Sequence, residues 1–359
     1  VLTGASVKGF RSFMFKDMQV KDGYVLQASS FANVAGNWGI LFALLQSSTD
    51  IFKNNTSVRV LQYNVNGVSF VQNKRLYNMD NALALSDWVR EPVKQYKAVD
   101  APQFTSALSY VAEHKRGNLV KGALGYGVFG GNIVDENNQG VFILSSCRSM
   151  GHGVSILPEN FKRVCVAFTA RRLITGPYAT WVNWQDEYMI PNIFHQDYVQ
   201  FESDSIVYFL FNTKSNQSSL RDIIYNGKQW NIKNEFFWLS RAEMKALAQG
   251  TYNIDDVYNE VEQDLIDNAE DERYVYKLLQ QVTLSSDAKA VLDKAGDLIR
   301  KSFKYRKAVA LLHPEYHLNT WDMGYYQLNK LIQEIPELQD EWRVFRQLYK
   351  GFEDRMRPL

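Results

Sequence analysis

The chain has 359 residues, 46% apolar and 22% charged, the balance of a globular protein large enough for two or three cores. Its 40 Lys and Arg meet 39 Asp and Glu for a net charge of +1, which excludes a globally basic nucleic-acid binder and confines any such contact to a local face. No apolar run reaches membrane-span length, and Cys147 and Cys165 by themselves cannot make a zinc site.

In chain order, Phe10 to Met18 is expected as a short helix or strand, followed by buried strands at 23–28 and 39–45 between Gly, Asn and Ser. Val58–Val65 and Val68–Gln72 flank Asn66-Gly67 and predict a hairpin with positive φ at both corners. A helix is expected within 82–94, halted near Pro92. Residues 119–168 read as strand-rich, with strands at 140–145 and 163–168; both cysteines then fall on strands, where a free thiol behaves as a small apolar group of a reduced, cytoplasmic protein. Gly125-Tyr126-Gly127-Val128-Phe129-Gly130 has the spacing of a dinucleotide fingerprint, but a polar stretch, 132–140, follows in place of a helix, so strand ends and turns account for the glycines. Ile206–Phe211 is expected as a buried strand.

The last third changes to helical spacing. Ser240-Arg241-Ala242-Glu243 is a capping box opening a helix to Gly250, and 253–268 gives an amphipathic helix with an acidic outer face. Ser285 caps a helix to about Leu312 that buries Val291, Leu292, Ala295, Leu298, Ile299 and Phe303, with Pro314 beyond it. Two further helices are expected, at 321–333 and 336–356; Leu338, Trp342, Phe345, Tyr349 and Phe352 form the stripe of the second. The fold class is therefore α+β: a strand-rich first two thirds, then a helical bundle or arm. The chain begins at Val1 without a signal-peptide pattern and reads as a piece starting inside a longer protein.

The densest polar stretch is Ser215-Asn216-Gln217-Ser218-Ser219-Leu220-Arg221. Asn, Gln and Arg can each make two hydrogen bonds to one base edge, and Ser adapts to phosphate or base. The plainer reading is a turn whose side chains satisfy their own backbone. Lys289, Lys294, Arg300, Lys301, Lys304, Arg306 and Lys307 lie along one helix, with 300, 304 and 307 on a shared face. Such a stripe either grips phosphates or pairs with the acidic helix before it. Lys74-Arg75, Lys115-Arg116 and Arg171-Arg172 are further basic pairs.

Catalytic constellations are missing. The five histidines are scattered; His313 and His317 have metal-ligand spacing, yet Pro314 lies between them and no third ligand is evident. Asp186-Glu187 stands without the remaining parts of a hydrolytic site, and neither a Walker loop nor a nucleophile elbow occurs.

Phe31–Phe42, Phe161–Leu173, Trp181–Pro191, Ser205–Phe211 with the Ser-Asn-Gln-Ser-Ser-Leu-Arg run, and Trp230–Phe237 resemble the C-terminal half of bacterial N6-adenine DNA methyltransferases of restriction-modification or related phage-defence systems. The resemblance touches most of residues 10–250. It implies the last strands of a Rossmann-like methyltransferase sheet at 1–50, a β-rich target-recognition domain at 51–239 and a helical domain at 240–359. Such enzymes bind S-adenosylmethionine through a glycine-rich turn and hold the flipped adenine with Asn/Asp-Pro-Pro-Tyr/Phe; this chain has neither motif, its eight prolines being isolated. The resemblance thus places cofactor and catalysis in an upstream methyltransferase catalytic domain and leaves duplex DNA recognition here.

On that reading Asn216, Gln217, Ser218, Ser219 and Arg221 contact bases or backbone, with Arg148 beside the 149–153 loop as the next candidate. Arg75, Lys115, Arg116, Lys214 and Lys304 are the phosphate contacts. Two alternatives stand beside it: a non-catalytic protein-interaction module with a helical docking arm, and an enzyme with a site around His152, Asp186 and Glu187.

Overall fold

A computed structural model of the chain describes residues 8–31, 39–48, 56–76, 84–102, 104–106, 109–110, 116–128, 142–144, 153–173, 179–182, 190–212, 220–232, 234–251, 273–305, 308, 311–312, 329 and 332–357. The chain divides into two units. One comprises 1–88, 131–138 and 174–193; the other comprises 89–130, 139–173 and 194–359.

The first unit is built on alternation. A short helix, Lys8–Met14 (α1), leads into Met18–Gln27 (β1), Gly39–Ser47 (β2), Thr56–Asn64 (β3) and Gly67–Leu76 (β4). These strands form one sheet in the order β2-β1-β3-β4, which draws on residues from both sides of position 50. Strand β1 runs antiparallel to β2 and parallel to β3, and β3 runs antiparallel to β4, so the sheet is mixed. Val20, Val25, Val58, Val60 and Leu76 face inward against Trp181 and Val182 of the helical turn Ala179–Val182. Period-two spacing puts Val58 and Val60 on that face and Arg59 on the other.

The expected hairpin is present, but its turn differs. Asn64 pairs with Gly67, leaving Val65 and Asn66 at the corners, and positive φ occurs at Gly67 (111°) and not at Asn66. The Asn64 side chain accepts the Asn66 amide at 2.9 Å, closing an Asx turn that shifts the corner by one residue. The turn expected there is found instead at Asn226-Gly227, with φ of 50° and 69°, joining Leu220–Tyr225 to Lys228–Ile232.

A short helix, Leu85–Arg90 (α2), holds the point where the chain passes from the first unit to the second, and small antiparallel pairings of the second unit follow. Ala98–Pro102 (β5) pairs with Arg116–Val120 (β8), and Phe104–Ser106 (β6) with Ser109–Tyr110 (β7). Gly125–Val128 (β9) is the middle strand between Phe142–Leu144 (β10) and Gly153–Ile156 (β11).

Around these strands packs a helical core that the sequence pattern assigned partly to strands. Residues 163–168 lie in Phe161–Leu173 (α3), and 206–211 in Tyr198–Phe211 (α4). From Ser203 to Phe211 every residue of α4 is buried. Burial on all sides removes the amphipathic period, so the run Ile206–Phe211 carries no helical signature of its own. Asn160 fixes the start of α3: its amide oxygen accepts the Leu157 N–H at 2.9 Å, and its nitrogen donates to the Val89 and Ser155 carbonyls at 3.1 and 3.0 Å.

Beyond the ribbon of Leu220–Tyr225 (β12) and Lys228–Ile232 (β13) come Arg241–Thr251 (α5), Tyr274–Leu279 (α6), Ser286–Ser302 (α7) and Gln339–Met356 (α8). Both expected caps are made: Ser240 Oγ accepts the Glu243 amide at 3.0 Å, and Ser285 Oγ the Ala288 amide at 3.2 Å. Helix α7 is shorter than expected, ending at Ser302 in the 3₁₀ turn Phe303–Tyr305, and Leu311 and Leu312 beyond it are exposed. Helix α8 buries Phe345, Tyr349, Phe352 and Met356, matching the predicted stripe, with Trp342 half-buried.

Helices α3, α4 and α8 meet through rings. Phe209 lies 5.8 Å from Phe161, 5.3 Å from Phe168 and 6.0 Å from Phe236, while Tyr208 stacks on Tyr349 at 5.4 Å. The Phe209→Ala variant is expected to lose about 3–5 kcal/mol, since it empties a site fully buried among other rings. Urea denaturation followed by far-ultraviolet circular dichroism reads that loss.

Candidate nucleic-acid interface

Of the residues singled out for DNA contact, four are placed. Arg75 stands on β4 in the first unit, exposed and opposite Ser57. In the second unit, Arg116 begins β8 opposite Pro102, Arg221 lies in the irregular start of β12, and Lys304 sits in the 3₁₀ turn with its ammonium 4.8 Å over the Tyr305 ring. Lys115, Arg148, Lys214, Asn216, Gln217, Ser218 and Ser219 lie outside the described residues, as do His152, Asp186, Glu187, His313, His317 and the acidic segment 253–268. The 213–219 stretch is bounded by Asn212, buried at the end of α4, and Leu220 at the start of β12.

Three cations of the α7 stripe are paired with neighbouring helices. Lys294 and Lys301 both pair with Glu341 of α8, and Arg300 pairs with Glu243 of α5 at 2.6 Å and with Asp297 of its own helix at 3.0 Å. These cations staple α7 to its neighbours, and their acidic partners come from α5 and α8. The hydrogen bonds from Lys294 and then Lys301 hold the Glu341 carboxyl at about 2, far below its ordinary 4.5. The hydrogen bond to Glu243 likewise raises the Arg300 guanidinium above its ordinary value. Arg171, of another expected basic pair, is buried on α3.

The β12–β13 ribbon has a different character. Ile223 pairs with Trp230 and Tyr225 with Lys228, and the Tyr225 and Trp230 rings meet edge to face at 6.5 Å. Tyr225 is buried and Trp230 half-buried, so that face anchors the ribbon. Ile224 and Gln229 pair directly and share the opposite face; both are exposed, as are Asn226, Gly227 and Lys228 at the tip. Ile223-Ile224-Tyr225 and Lys228-Gln229-Trp230 around Asn226-Gly227 carried this signal, and the sequence reading passed over it.

In the first unit, the outer face of the sheet is apolar and uncovered. Tyr24 stacks on Phe42 at 5.0 Å, Phe31 lies 6.0 Å from Phe42, and Leu44, Tyr63, Val68 and Phe70 are each more than half exposed. Arg59 and Asp22 pair at 3.0 Å on the same face, and Arg75 shares it by register.

Among the described residues, Cys165 and Tyr198 are engaged in packing and pairing. Cys165 lies on α3, not on a strand; burial, then the nearby Glu202 charge, pushes its thiol up, away from reactive thiolate. Tyr198 donates to Glu202 at 3.2 Å and Lys162 donates to the same carboxylate at 3.1 Å; burial raises the tyrosine hydroxyl well above its usual range. No cluster of three or more His, Cys, Asp or Glu able to hold a metal occurs among the described residues. No helix among the described residues is long and apolar enough to cross a membrane. No known family model, curated protein or solved structure matches the chain.

Because Glu341 is depressed in the folded state, its stabilisation is complete above about pH 4.5 and is lost as pH falls towards 2. Melting temperature is expected to drop across that window. Glu341→Gln should melt lower than wild type at neutral pH and show a shallower acid dependence; equal acid profiles would show that the staple is not what titrates.

Proposed function

We propose that the chain recognises duplex DNA as the C-terminal portion of an adenine-N6 DNA methyltransferase and supplies no reactive group itself. One observation carries the reading. Three segments that bear the resemblance, far apart in sequence, converge in a single aromatic core: Phe161 of the first, Phe209 of the second and Phe236 of the third lie ring against ring at 5.8–6.0 Å. These three segments share the second unit, while Phe31–Phe42 and Trp181–Pro191 fall in the first; the second unit holds both ends of the polar segment 213–219 through Asn212 and the β12–β13 ribbon. Loops and ribbons mounted on a rigid scaffold are where recognition side chains gather.

The cofactor does not fit the residues present. Gly125 and Gly127 stand in the middle of a three-stranded sheet, where pairing with β10 and β11 occupies the strand instead of opening a phosphate cradle at a helix start. Within this reading S-adenosylmethionine is held by the upstream catalytic domain, and no transfer step runs through this chain. Its own part is positional: cations set register on phosphates and polar side chains read base edges.

A second surface favours a protein contact as well. The outer sheet face of the first unit has the composition of an interface core, rich in Tyr, Phe and aliphatic side chains around one ion pair. Its occupant in this reading is the catalytic domain. Leu44→Asp combined with Phe70→Asp should leave the unit folded, since both side chains project outward, and abolish retention on a separately produced adenine methyltransferase catalytic domain.

Fluorescence anisotropy on labelled duplexes at graded salt tests the primary reading. Log affinity should fall against log salt with a slope of about −3 or steeper, the mark of several neutralised phosphates. A flat or absent response would overturn it and leave the protein-interaction module and the enzyme reading.

A further inference from the structure

The four-stranded sheet of the first unit ends in two edges that differ in kind. The β4 edge is guarded: Val71 is an extra residue that interrupts the pairing with β3, and Lys74-Arg75 stand near the strand's end. Bulges and basic side chains are devices that keep an edge from pairing with another chain. The β2 edge has neither. Its nine residues, Gly-Ile-Leu-Phe-Ala-Leu-Leu-Gln-Ser, hold no charge and no proline. Its register runs unbroken from Gly39 to Ser47, the bulge at that seam being Lys21 of β1. We propose that this edge pairs antiparallel with the same strand of a second copy of the chain, about a two-fold axis at Ala43.

The backbone is open to such pairing. Among the described residues β2 has one strand neighbour, β1, so alternate residues turn their N–H and C=O groups away from the sheet. Leu44, Leu45, Gln46 and Ser47 are all exposed along it.

The side chains are self-complementary. In a closed two-fold dimer one patch meets itself, and a charge near the axis would meet its own like; an uncharged strand escapes that repulsion. With Ala43 opposite its own copy, Phe42 falls against Leu44, Leu41 against Leu45 and Ile40 against Gln46. The small Ala43 stands on the axis, where the two copies come closest. The faces agree as well. Leu41 and Ala43 pack on the core side of the sheet, and period two puts Leu45 there too, 41% exposed beyond the core cluster. Leu41 of the second copy would cover it. On the outer face Leu44 is 65% exposed beside Phe42, which stacks on Tyr24, and Phe42 of the second copy would extend that apolar row over it. The absence of charge and the matched apolar order on either side of Ala43 favour the chain's own copy over an unrelated strand. This pairing does not rest on the DNA reading.

Sedimentation velocity on the full chain over a concentration series, without DNA, tests it. Monomer should give way to dimer and to nothing larger. Leu44→Lys and Phe42→Glu should each raise the dimer dissociation constant by at least about a hundred-fold, because each sets a charge against an apolar side chain of the second copy. Mixed together, the two variants should dimerise again, since the introduced ammonium then faces the introduced carboxylate, a rescue that misfolding does not produce. Gln46→Lys with Ile40→Glu is a second such pair that leaves the Phe42 stack intact, and circular dichroism checks that each variant folds. A chain monomeric at every concentration, open-ended assembly, a dimer indifferent to both pairs of variants, or a loss that mixing does not restore overturns the pairing. Retention of a monomeric chain on a separately produced methyltransferase catalytic domain, lost in Leu44→Lys, also overturns it and gives the edge to that partner. Salt-dependent duplex binding stands or falls separately from all of these.

Discussion

The second unit is organised by the burial of one helix on every side. From Ser203 to Phe211, α4 has no solvent face, and each neighbour reaches it with a ring or a hydrogen bond. Phe161 and Phe168 come from α3, Phe236 from the segment after the ribbon, and Tyr349 and Phe352 from α8. Three hydrogen bonds join α4 and its C-terminal end to α8: Tyr349 donates to the Tyr208 carbonyl at 2.9 Å and accepts from Asn212 at 3.1 Å, while Tyr208 donates to Glu353 at 3.0 Å. Burial raises the Glu353 carboxyl, and hydrogen bonds from Lys350, Tyr208 and Arg357 outweigh it, so the group stays ionised below its usual range. Asp204, nearly inaccessible on the same helix, accepts the Ser285 amide at 3.0 Å and so ties the cap of α7 to the core. A helix without a wet side can belong only to a unit wrapped around it.

Charge follows the same economy. Basic residues that look available in the sequence are partly spent on holding helices together, as Lys294, Arg300 and Lys301 are on α7. The ribbon tip and the outer sheet face of the first unit are instead exposed, with distinct compositions, one polar with Lys228 at its tip, the other aromatic.

Elements with local chemical signals were legible in the sequence. Ser240 and Ser285 announce their helices because each hydroxyl satisfies an amide within three residues, and the α8 stripe shows because only one side of that helix is dry. Helices α3 and α4 were read as strands for the opposite reason: burial all round leaves a continuous apolar run, which a strand interior shares. The two Asn-Gly pairs teach a related lesson. They are chemically identical, and the side chain of Asn64 two residues earlier decides that the first does not form the turn the second does. Of the residues proposed from the sequence Arg221 lies on the ribbon, and the ribbon's exposed face could be distinguished from its anchored one only once strand pairing was known.

The parallel contact between β1 and β3 spans only Tyr24, Val25 and Leu26 against Arg59, Val60 and Leu61, whereas each flanking antiparallel pair is longer. The sheet is thus two locally closed hairpins zipped along a short seam, with Asp22–Arg59 as its outer clasp. Each hairpin can assemble by itself before the halves find one another, so the seam is the last part of the sheet to form and the first to part under load.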